Sequence, residues 1–256
     1  MKNDLIKQAT RGDKKALEEL IVSVKDKIYN LCLRYLWHPQ NAEDATQEIL
    51  IRIITNLSTF EGKSLFSTWC FRIGVNYLLN SKRNKKTQNM AFSDFSNQLK
   101  EGLDRPDYAG ADALLLEEEV KTGCTMGMLL CLSPDLRIAF ILDIVFHLNS
   151  MEASAILDIS PETFRKRLSR ARESMEYFMQ ANCGLVNKTR PCRCNKRIPI
   201  AIETKRVDPK YLLFAGKVGE YNSQMEELHD TAEIFKSHPS FQTSTEMLKN
   251  ILHLLT

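Results

Sequence analysis

The chain has 256 residues, of which 43% are hydrophobic and 26% charged, so it can form one or two compact domains with ordinary cores. Its longest apolar runs are too short to span a bilayer, its N-terminus lacks the apolar core of a signal peptide, and its seven cysteines are scattered. We therefore expect a protein of the cytoplasm that has no contact with a membrane and no disulfide framework.

The net charge of +3 conceals three strongly basic clusters, at residues 82–86, 165–172 and 188–197. Separate clusters of this kind indicate several contacts with a polyanion such as a nucleic acid. A single cluster is also typical of a solvated helix face, so the surrounding sequence patterns have to decide between these two interpretations.

Hydrophobic periodicity predicts helices through the N-terminal part of the chain. Gly12 ends a short first helix, and Asp13 caps the next one, which covers residues 14–36. Asn41 is predicted to cap a further helix, and another helix begins near Ser64. The buried face of the helix after Asn41 is expected to contain Ile49, Ile53 and Leu57.

The middle of the chain differs in composition from the N-terminal part. Residues 87–110 are polar and aperiodic and include proline and glycine, which predicts a linker. Helical periodicity resumes over residues 111–132, Ser133 with Pro134 predicts another helix start, and strand signals are limited to short stretches such as 198–203. We predict an all-α fold with two helical domains and a mainly helical C-terminal extension, at residues 1–86, 111–180 and 181–256.

The strongest local pattern covers residues 149–175 and predicts a helix-turn-helix. Asn149 and Glu152 have the spacing of a capping box, so the first helix begins here and runs to Leu157. Asp158 then lies in the turn, where aspartate tolerates the left-handed backbone conformation better than most residues do.

The second helix of this motif is predicted to be amphipathic and basic. Ser160 caps it and Pro161 opens it. Its apolar stripe consists of Phe164, Leu168, Ala171 and Met175. Its remaining surface carries Arg165, Lys166, Arg167, Arg170 and Arg172, which favours insertion into a major groove over an ordinary helical hairpin with a soluble face.

The stretch ISPETFRKRLSRAR, residues 159–172, resembles the recognition helix in region four of sigma-70 superfamily transcription factors of the extracytoplasmic-function (ECF) type. Asp158 replaces the glycine that is usual there, and Ser154 replaces a usual alanine. The resemblance implies that this helix reads the −35 element of promoters. The residues expected to contact that element are Glu162, Thr163, Arg165, Lys166, Arg167, Arg170 and Arg172.

Residues 41–86 resemble region two of the same family, in the order in which the family has its two regions. The resemblance implies that Asp44, Gln47 and Glu48 bind core RNA polymerase, on the clamp helices of the beta-prime subunit. Aromatic faces stack on unpaired bases, and amide or guanidinium groups can hydrogen-bond base edges. The resemblance further implies contacts with the melted −10 strand by Phe60, Glu61, Lys63, Ser64, Arg72, Asn76, Asn80, Lys82 and Arg83.

The predicted function is therefore that of a sigma factor, which directs core polymerase to promoters and catalyses no covalent step itself. The implied partners are core polymerase, through the beta-prime clamp helices and the beta flap, promoter DNA, and an anti-sigma factor as a further candidate. A helix-turn-helix regulator that acts without joining polymerase is the main alternative. A metal hydrolase is a remote one, because the chain lacks the HExxH and GxSxG motifs.

The stretch CGLVNKTRPCRC, residues 183–194, stands apart from both matches. Zinc or a softer metal is a candidate ligand for its three cysteines, Cys183, Cys192 and Cys194. Nearby basic residues are expected to favour the thiolate forms, which would also suit redox sensing. No fourth ligand is evident, since His229 and His238 are distant in sequence, so a plain structural linker is the alternative. We expect no other cofactor, and we hypothesise that the extension gates the activity of the protein.

Overall fold

The structure, a computed structural model, describes residues 2–80, 89–215, 230–243, 246–247 and 251. Every regular element in these ranges is helical, which confirms the predicted all-α fold. In chain order the helices are α1 (Lys2–Thr10), α2 (Lys14–Leu36), α3 (Pro39–Thr55), α4 (Phe66–Asn80), α5 (Phe92–Lys100), α6 (Ala113–Met128), α7 (Pro134–Phe140), α8 (Ser150–Leu157), α9 (Pro161–Asn182), α10 (Cys194–Glu203) and α11 (Thr231–Lys236).

Contacts divide the chain into two compact units that interleave in sequence. The first consists of residues 1–88, 149–164 and 240–256, and the second of residues 89–148 and 165–239. The domain boundaries expected from the sequence remain a prediction beside this division.

In the first unit, α2 packs against α1, α3 and α4. Its start is as predicted, because Gly12 has a φ of +92° and the Asp13 carboxylate accepts a hydrogen bond from the Ala16 N–H at 3.1 Å. Gly74 brings α4 close to α2, since a Cβ at that position would lie 3.3 Å from the Leu31 side chain. The absence of a side chain at Gly74 therefore positions α4 on the core.

Helix α3 begins earlier than the sequence analysis predicted. His38, and not Asn41, is its N-cap residue, and Pro39 occupies the first turn. Proline has the helical φ built in and needs no N–H partner there, so it opens the helix without a side-chain cap. The predicted inner face is confirmed, as Ile49, Ile53 and Leu57 are buried.

The segment 87–110 is not a structureless connection, because it contains α5. The α5 rings of Phe92 and Phe95 lie 5.1 and 5.7 Å from the ring of Phe178 on α9. These aromatic contacts stabilise α5 only because α9, which is distant in the sequence, packs against it. Residues 92 and 95 have helical spacing, but two apolar positions in a polar segment gave too weak a periodic signal.

The strand-like stretch at residues 198–203 is helical, so that prediction is wrong. Ile198 and Ala201 are buried on one face of α10, where they join a cluster with Leu116 and Val120 of α6. Packing of a helix face against α6 outweighs the β propensity of the isoleucines. Pro199 lies inside the helix, beyond its first turn, and cannot donate the backbone hydrogen bond that a residue with an N–H would make there.

Candidate nucleic-acid interface

The helix-turn-helix has the capping geometry that the sequence predicts. The Asn149 side chain accepts hydrogen bonds from the N–H groups of Met151 and Glu152 at 2.9 and 3.0 Å. The Glu152 carboxylate in turn accepts the Asn149 N–H at 3.0 Å, which completes the capping box. Asp158 has the left-handed conformation, with φ 54° and ψ 47°, so the turn is confirmed.

The start of α9 is confirmed as well. The Ser160 hydroxyl accepts the Thr163 N–H at 3.1 Å, and Pro161 is the first helical residue. This arrangement leaves Glu162 and Thr163 exposed at the N-terminal end of the helix. Side chains at that end are the ones that reach base edges in helix-turn-helix complexes.

Charged and apolar side chains of α9 separate cleanly. Phe164, Ala171 and Met175 are buried, and Leu168 is half-buried. Arg167 is half-buried too, and the remaining basic side chains of this part of α9 are exposed: Arg165, Lys166, Arg170 and Arg172. The helix therefore presents a basic surface suited to a polyanion while its apolar face is buried.

One of these arginines already has an acidic partner in the second unit. The Arg172 guanidinium and the Asp143 carboxylate lie 2.5 Å apart, with their side chains 51% and 21% exposed. Pairs this exposed contribute about 0–1 kcal/mol, so a phosphate can replace the carboxylate as the partner of Arg172. Sequence reasoning missed Asp143, since it precedes the motif on a separate helical segment, Ile141–Val145.

The loop before α4 joins an aromatic cluster at its base. The Phe60 ring lies 5.6 Å from that of Phe66 and 5.5 Å from that of Trp69, so Phe60 is half-buried. Glu61 and Lys63 form an exposed ion pair, and Ser64 is exposed. The loop thus presents polar groups to solvent above an aromatic base.

Helix α4 presents a polar face on which Arg72, Asn76 and Asn80 are exposed. Within the first unit, α8 packs against α4, and the Arg72 guanidinium donates a hydrogen bond to the carbonyl oxygen of Ala155 on α8. This contact was not foreseen, because a backbone acceptor leaves no signal in the sequence. The predicted contacts Lys82 and Arg83 lie outside the described residues.

The acidic face of α3 is accessible. Asp44 is exposed, and Gln47 and Glu48 are half-exposed. Glu48 pairs with Arg52 at 3.1 Å while its side chain remains 46% exposed, and Asp44 accepts a weak hydrogen bond from Gln40 at 3.3 Å. Neither interaction removes these groups from solvent, so the face is available to a partner.

The three cysteines of residues 183–194 come together with a fourth, Cys124 of α6, around one cavity in the second unit. Burial raises the pKa of Cys192 to about 11 and the pKa of Cys183 above its usual value. The expectation that neighbouring basic residues favour the thiolates is therefore wrong, because desolvation outweighs their charge. No group of three or more His, Cys, Asp or Glu within the described ranges is placed to hold a metal ion.

The structure describes one of the two histidines considered as further ligands. His238 is buried, and its Nε2 atom lies 2.7 Å from the Thr125 hydroxyl. His229 falls outside the described residues. In the described part of the chain, no helix is long and apolar enough to cross a membrane.

Comparison with known proteins identifies the family. Residues 20–88 match the family model of Sigma-70 region 2, and residues 123–175 match that of Sigma-70, region 4. The chain is 33% identical to the ECF RNA polymerase sigma factor SigW of Bacillus subtilis (strain 168) over 174 residues, which are 66% of this chain and 92% of SigW. The chain is an ECF sigma factor.

A second curated relative agrees with this assignment. The ECF RNA polymerase sigma-E factor of Escherichia coli (strain K12) is 30% identical over 180 residues, which are 69% of this chain and 93% of that protein. A solved complex of the sigma factor RpoE with the anti-sigma factor NepR from Bartonella quintana matches with a TM-score of 0.47 and 21% identity, over 65% of this chain and 98% of that one.

This sigma factor directs core RNA polymerase to promoter DNA for transcription initiation, and it is not a regulator that works apart from polymerase. Its two family regions occur in the predicted order. The residues after 175 lie beyond the region 4 match, and they include the extension predicted at residues 181–256.

Proposed function

We propose that the sigma factor reads the −35 element with the N-terminal half of α9, and the −10 element with the loop at residues 60–64 and the polar face of α4. The observation that supports this most directly is the separation of charge on α9, where exposed basic groups lie opposite a buried apolar stripe. The exposed Arg72, Asn76 and Asn80 support the assignment of α4, since guanidinium and amide groups hydrogen-bond base edges.

The accessible acidic face of α3 is the proposed contact with the clamp helices of the beta-prime subunit, and the second unit is proposed to meet the beta flap. The resemblance to the family adds an anti-sigma factor as a candidate partner. RNA synthesis is the chemistry of polymerase, so we assign no catalytic residue to this chain. Its proposed site of action is the cytoplasm, where polymerase and promoters are.

Loss of the acidic face of α3 is expected to weaken binding of the protein to core polymerase. In the double variant Asp44→Ala, Glu48→Ala, run-off transcription with purified core enzyme and a cognate promoter should fall by about thirty- to a thousandfold, as for the loss of two interface anchors worth about 1–2 kcal/mol each. Both side chains are solvent-accessible, so circular dichroism should remain that of the wild type.

The matched control carries the same change of charge on another helix. Glu18→Ala, Glu19→Ala removes two exposed carboxylates from α2 and should leave transcription unchanged. Equal losses in both double variants would assign the effect to net charge, and wild-type transcription by the α3 variant would remove α3 from the polymerase contact.

We further propose that the extension regulates the sigma factor through a hook segment, which we define as residues 240–243. Asn30 of α2 accepts the Phe241 N–H at 3.0 Å and donates to the Phe241 carbonyl at 2.6 Å. The Asp26 carboxylate accepts both the N–H and the hydroxyl of Thr243 at 2.9 Å. These reciprocal bonds attach the hook to α2 within the first unit.

A buried cation strengthens the same contact. Arg34 is buried, donates to the Asn30 side chain at 2.6 Å, and has its guanidinium 5.8 Å from the centre of the Phe241 ring. Polar side chains buried in this way are usually placed for a specific partner, because burial without hydrogen bonds is costly. The hook therefore binds α2 through specific contacts.

We propose that contacts within the first unit compete with DNA while the hook is attached to α2. In the first unit α8 covers part of α4, and Arg72 donates to the Ala155 carbonyl. A −10 strand that takes this arginine has to displace α8. Release of the hook is proposed to loosen the first unit and to make that displacement easier.

Release of the hook is therefore expected to raise promoter activity. Phe241→Ala removes the ring contact with Arg34, and a chain ending at residue 239 removes the hook entirely. Each hydrogen bond between the hook and α2 contributes about 1 kcal/mol net. Loss of these bonds should shift the equilibrium toward the released hook and raise run-off transcription by up to about ten- to a hundredfold.

Gln242→Ala is the control, because Gln242 lies inside the hook but is exposed. It should behave as the wild type. If the shortened chain and Phe241→Ala both transcribe at the wild-type rate or below it, while binding core polymerase normally, the hook is structural and not regulatory.

A further inference from the structure

Four cysteines that are far apart in the sequence line one small cavity in the second unit. Cys124 comes from α6, Cys183 follows the end of α9, Cys192 lies in the next loop, and Cys194 begins α10. The cavity has a volume of about 20 Å³, which is the space of a single water-sized particle. Its other walls are largely apolar.

Local structure holds the two cysteine segments of the extension against each other. The Gly184 N–H donates to the Cys192 carbonyl at 3.1 Å. A Cβ at Gly184 would overlap that carbonyl oxygen, so only glycine permits this approach. The carbonyl of Cys183 accepts the Asn187 N–H at 2.9 Å, which closes the turn. The convergence of these thiols is therefore built into the backbone.

The charges around the cavity are the second observation that points to a ligand. Lys121 and Arg197 line it and are 1% and 5% exposed, and among the described residues no carboxylate lines it. Arg197 donates to the carbonyls of Gln98 and Leu99. Two buried cations beside the four thiols favour a ligand site with a net negative charge, because buried charges need a compensating partner.

Metal-bound thiolates would supply negative charge beside these two cations. A divalent cation held by four thiolates has two net negative charges, which the Lys121 ammonium and the Arg197 guanidinium would balance. Four cysteine ligands at a closed site are also the usual donor set of structural zinc. A site for calcium or magnesium would need oxygen donors, and none of the described side chains that line the cavity carries a carboxylate.

We propose that Cys124, Cys183, Cys192 and Cys194 bind one thiophilic divalent cation, such as zinc, and that the ion fastens the extension to α6. Among the described residues no three donors stand close enough together to hold an ion, so binding has to draw the sulfurs inward. Each thiol loses its proton to solvent as its sulfur bonds the metal, and no oxidant or reductant is needed.

The cysteine site is separate from the proposed promoter-reading surfaces and from the hook. Cys124 belongs to the region 4 match, at residues 123–175, whereas the other three cysteines follow it. The site would join the family's DNA-binding region to the extension of this chain. Binding energy of the ion then stabilises the extension in its place on α6.

The test uses the full-length chain and Co²⁺ as a spectroscopic substitute for Zn²⁺. The wild-type protein should bind one Co²⁺ with the intense sulfur-to-metal absorption and visible bands of a four-thiolate tetrahedral site, and Zn²⁺ should displace it. Purified protein should contain about one equivalent of zinc by elemental analysis. Each of the four Cys→Ser variants should lose the four-thiolate spectrum and bind Zn²⁺ at least about tenfold more weakly.

Cys131→Ser is the matched control, because Cys131 is also partly exposed and near the end of α6 but does not line the cavity. It should keep the wild-type spectrum and metal content. Circular dichroism of every variant checks folding. The Co²⁺ absorption spectrum of the wild-type chain reports the number of thiolate ligands without any substitution. A wild-type chain that gives no thiolate-to-cobalt band, or a Cys124→Ser variant with the wild-type spectrum and affinity, would overturn the proposal.

Discussion

Replacing Arg165, Lys166 and Arg170 together with alanine is expected to weaken binding to a −35 duplex by at least about a hundredfold, from about 1–3 kcal/mol for each interaction that the substitutions remove. All three side chains are exposed on α9, and alanine favours helix, so the fold should not change. The affinity should also become less dependent on salt, with the slope reduced by roughly one for each phosphate that no longer has a basic partner. Fluorescence anisotropy across a range of salt concentrations measures both quantities.

The control for this variant removes the same charge elsewhere. Lys7→Ala, Lys14→Ala, Lys15→Ala takes three exposed basic groups from α1 and α2. Because these groups are not on the proposed DNA surface, the affinity should fall much less. Similar losses in both triple variants would mean that net charge alone attracts DNA, and an unchanged affinity in the α9 variant would exclude α9 as the reader of the −35 element.

Arg137→Met is expected to cause a large loss of stability. Arg137 is completely buried, and its guanidinium donates to the carbonyls of Leu130 and Leu132 at 3.0 and 3.1 Å and to the Asn89 side chain at 2.7 Å. The two carbonyls lie at the end of the helical segment after α6, where helix carbonyls lack intrahelical donors. Methionine fills the volume, and the Leu130 carbonyl keeps the Met90 N–H at 3.2 Å. The Leu132 carbonyl and the Asn89 side chain, however, lose the guanidinium donor, at a cost of roughly 2–6 kcal/mol.

Urea-induced unfolding followed by circular dichroism measures this effect. Arg11→Met makes the same chemical change at an exposed position and should shift the free energy of unfolding by less than about 0.5 kcal/mol. If both variants unfold at the same urea concentration, the buried guanidinium does not hold the end of α6. A stability loss confined to Arg137→Met would show that this arginine supports the helices that precede the helix-turn-helix.

Local rules in the sequence predicted the helix-turn-helix well. The capping box of Asn149 and Glu152, the left-handed Asp158 and the start of α9 at Pro161 all depend on interactions over a few residues. Such interactions have the same geometry wherever they occur. The buried stripe of α9 followed from helical periodicity for the same reason.

Predictions failed where a distant partner decided the outcome. Helix α10 forms over an isoleucine-rich stretch because α6 buries its apolar face, and α5 forms where Phe178 covers its rings. The thiolate forms expected of the cysteines are opposed by desolvation in a cavity that no spacing rule reveals. In each case the deciding energy is burial against residues far away in the chain.

The sequence by itself determined the family of this protein, the order of its two regions, and the surfaces of α3 and α9 that face solvent, because periodicity and capping are local properties. Only the tertiary structure placed Cys124 beside the cysteines of the extension and attached the hook to Asn30. It also revealed that Arg72, a predicted DNA contact, already has an acceptor on α8. These contacts join residues 59 to 211 positions apart, and chain closure over such distances leaves no periodic trace in the sequence.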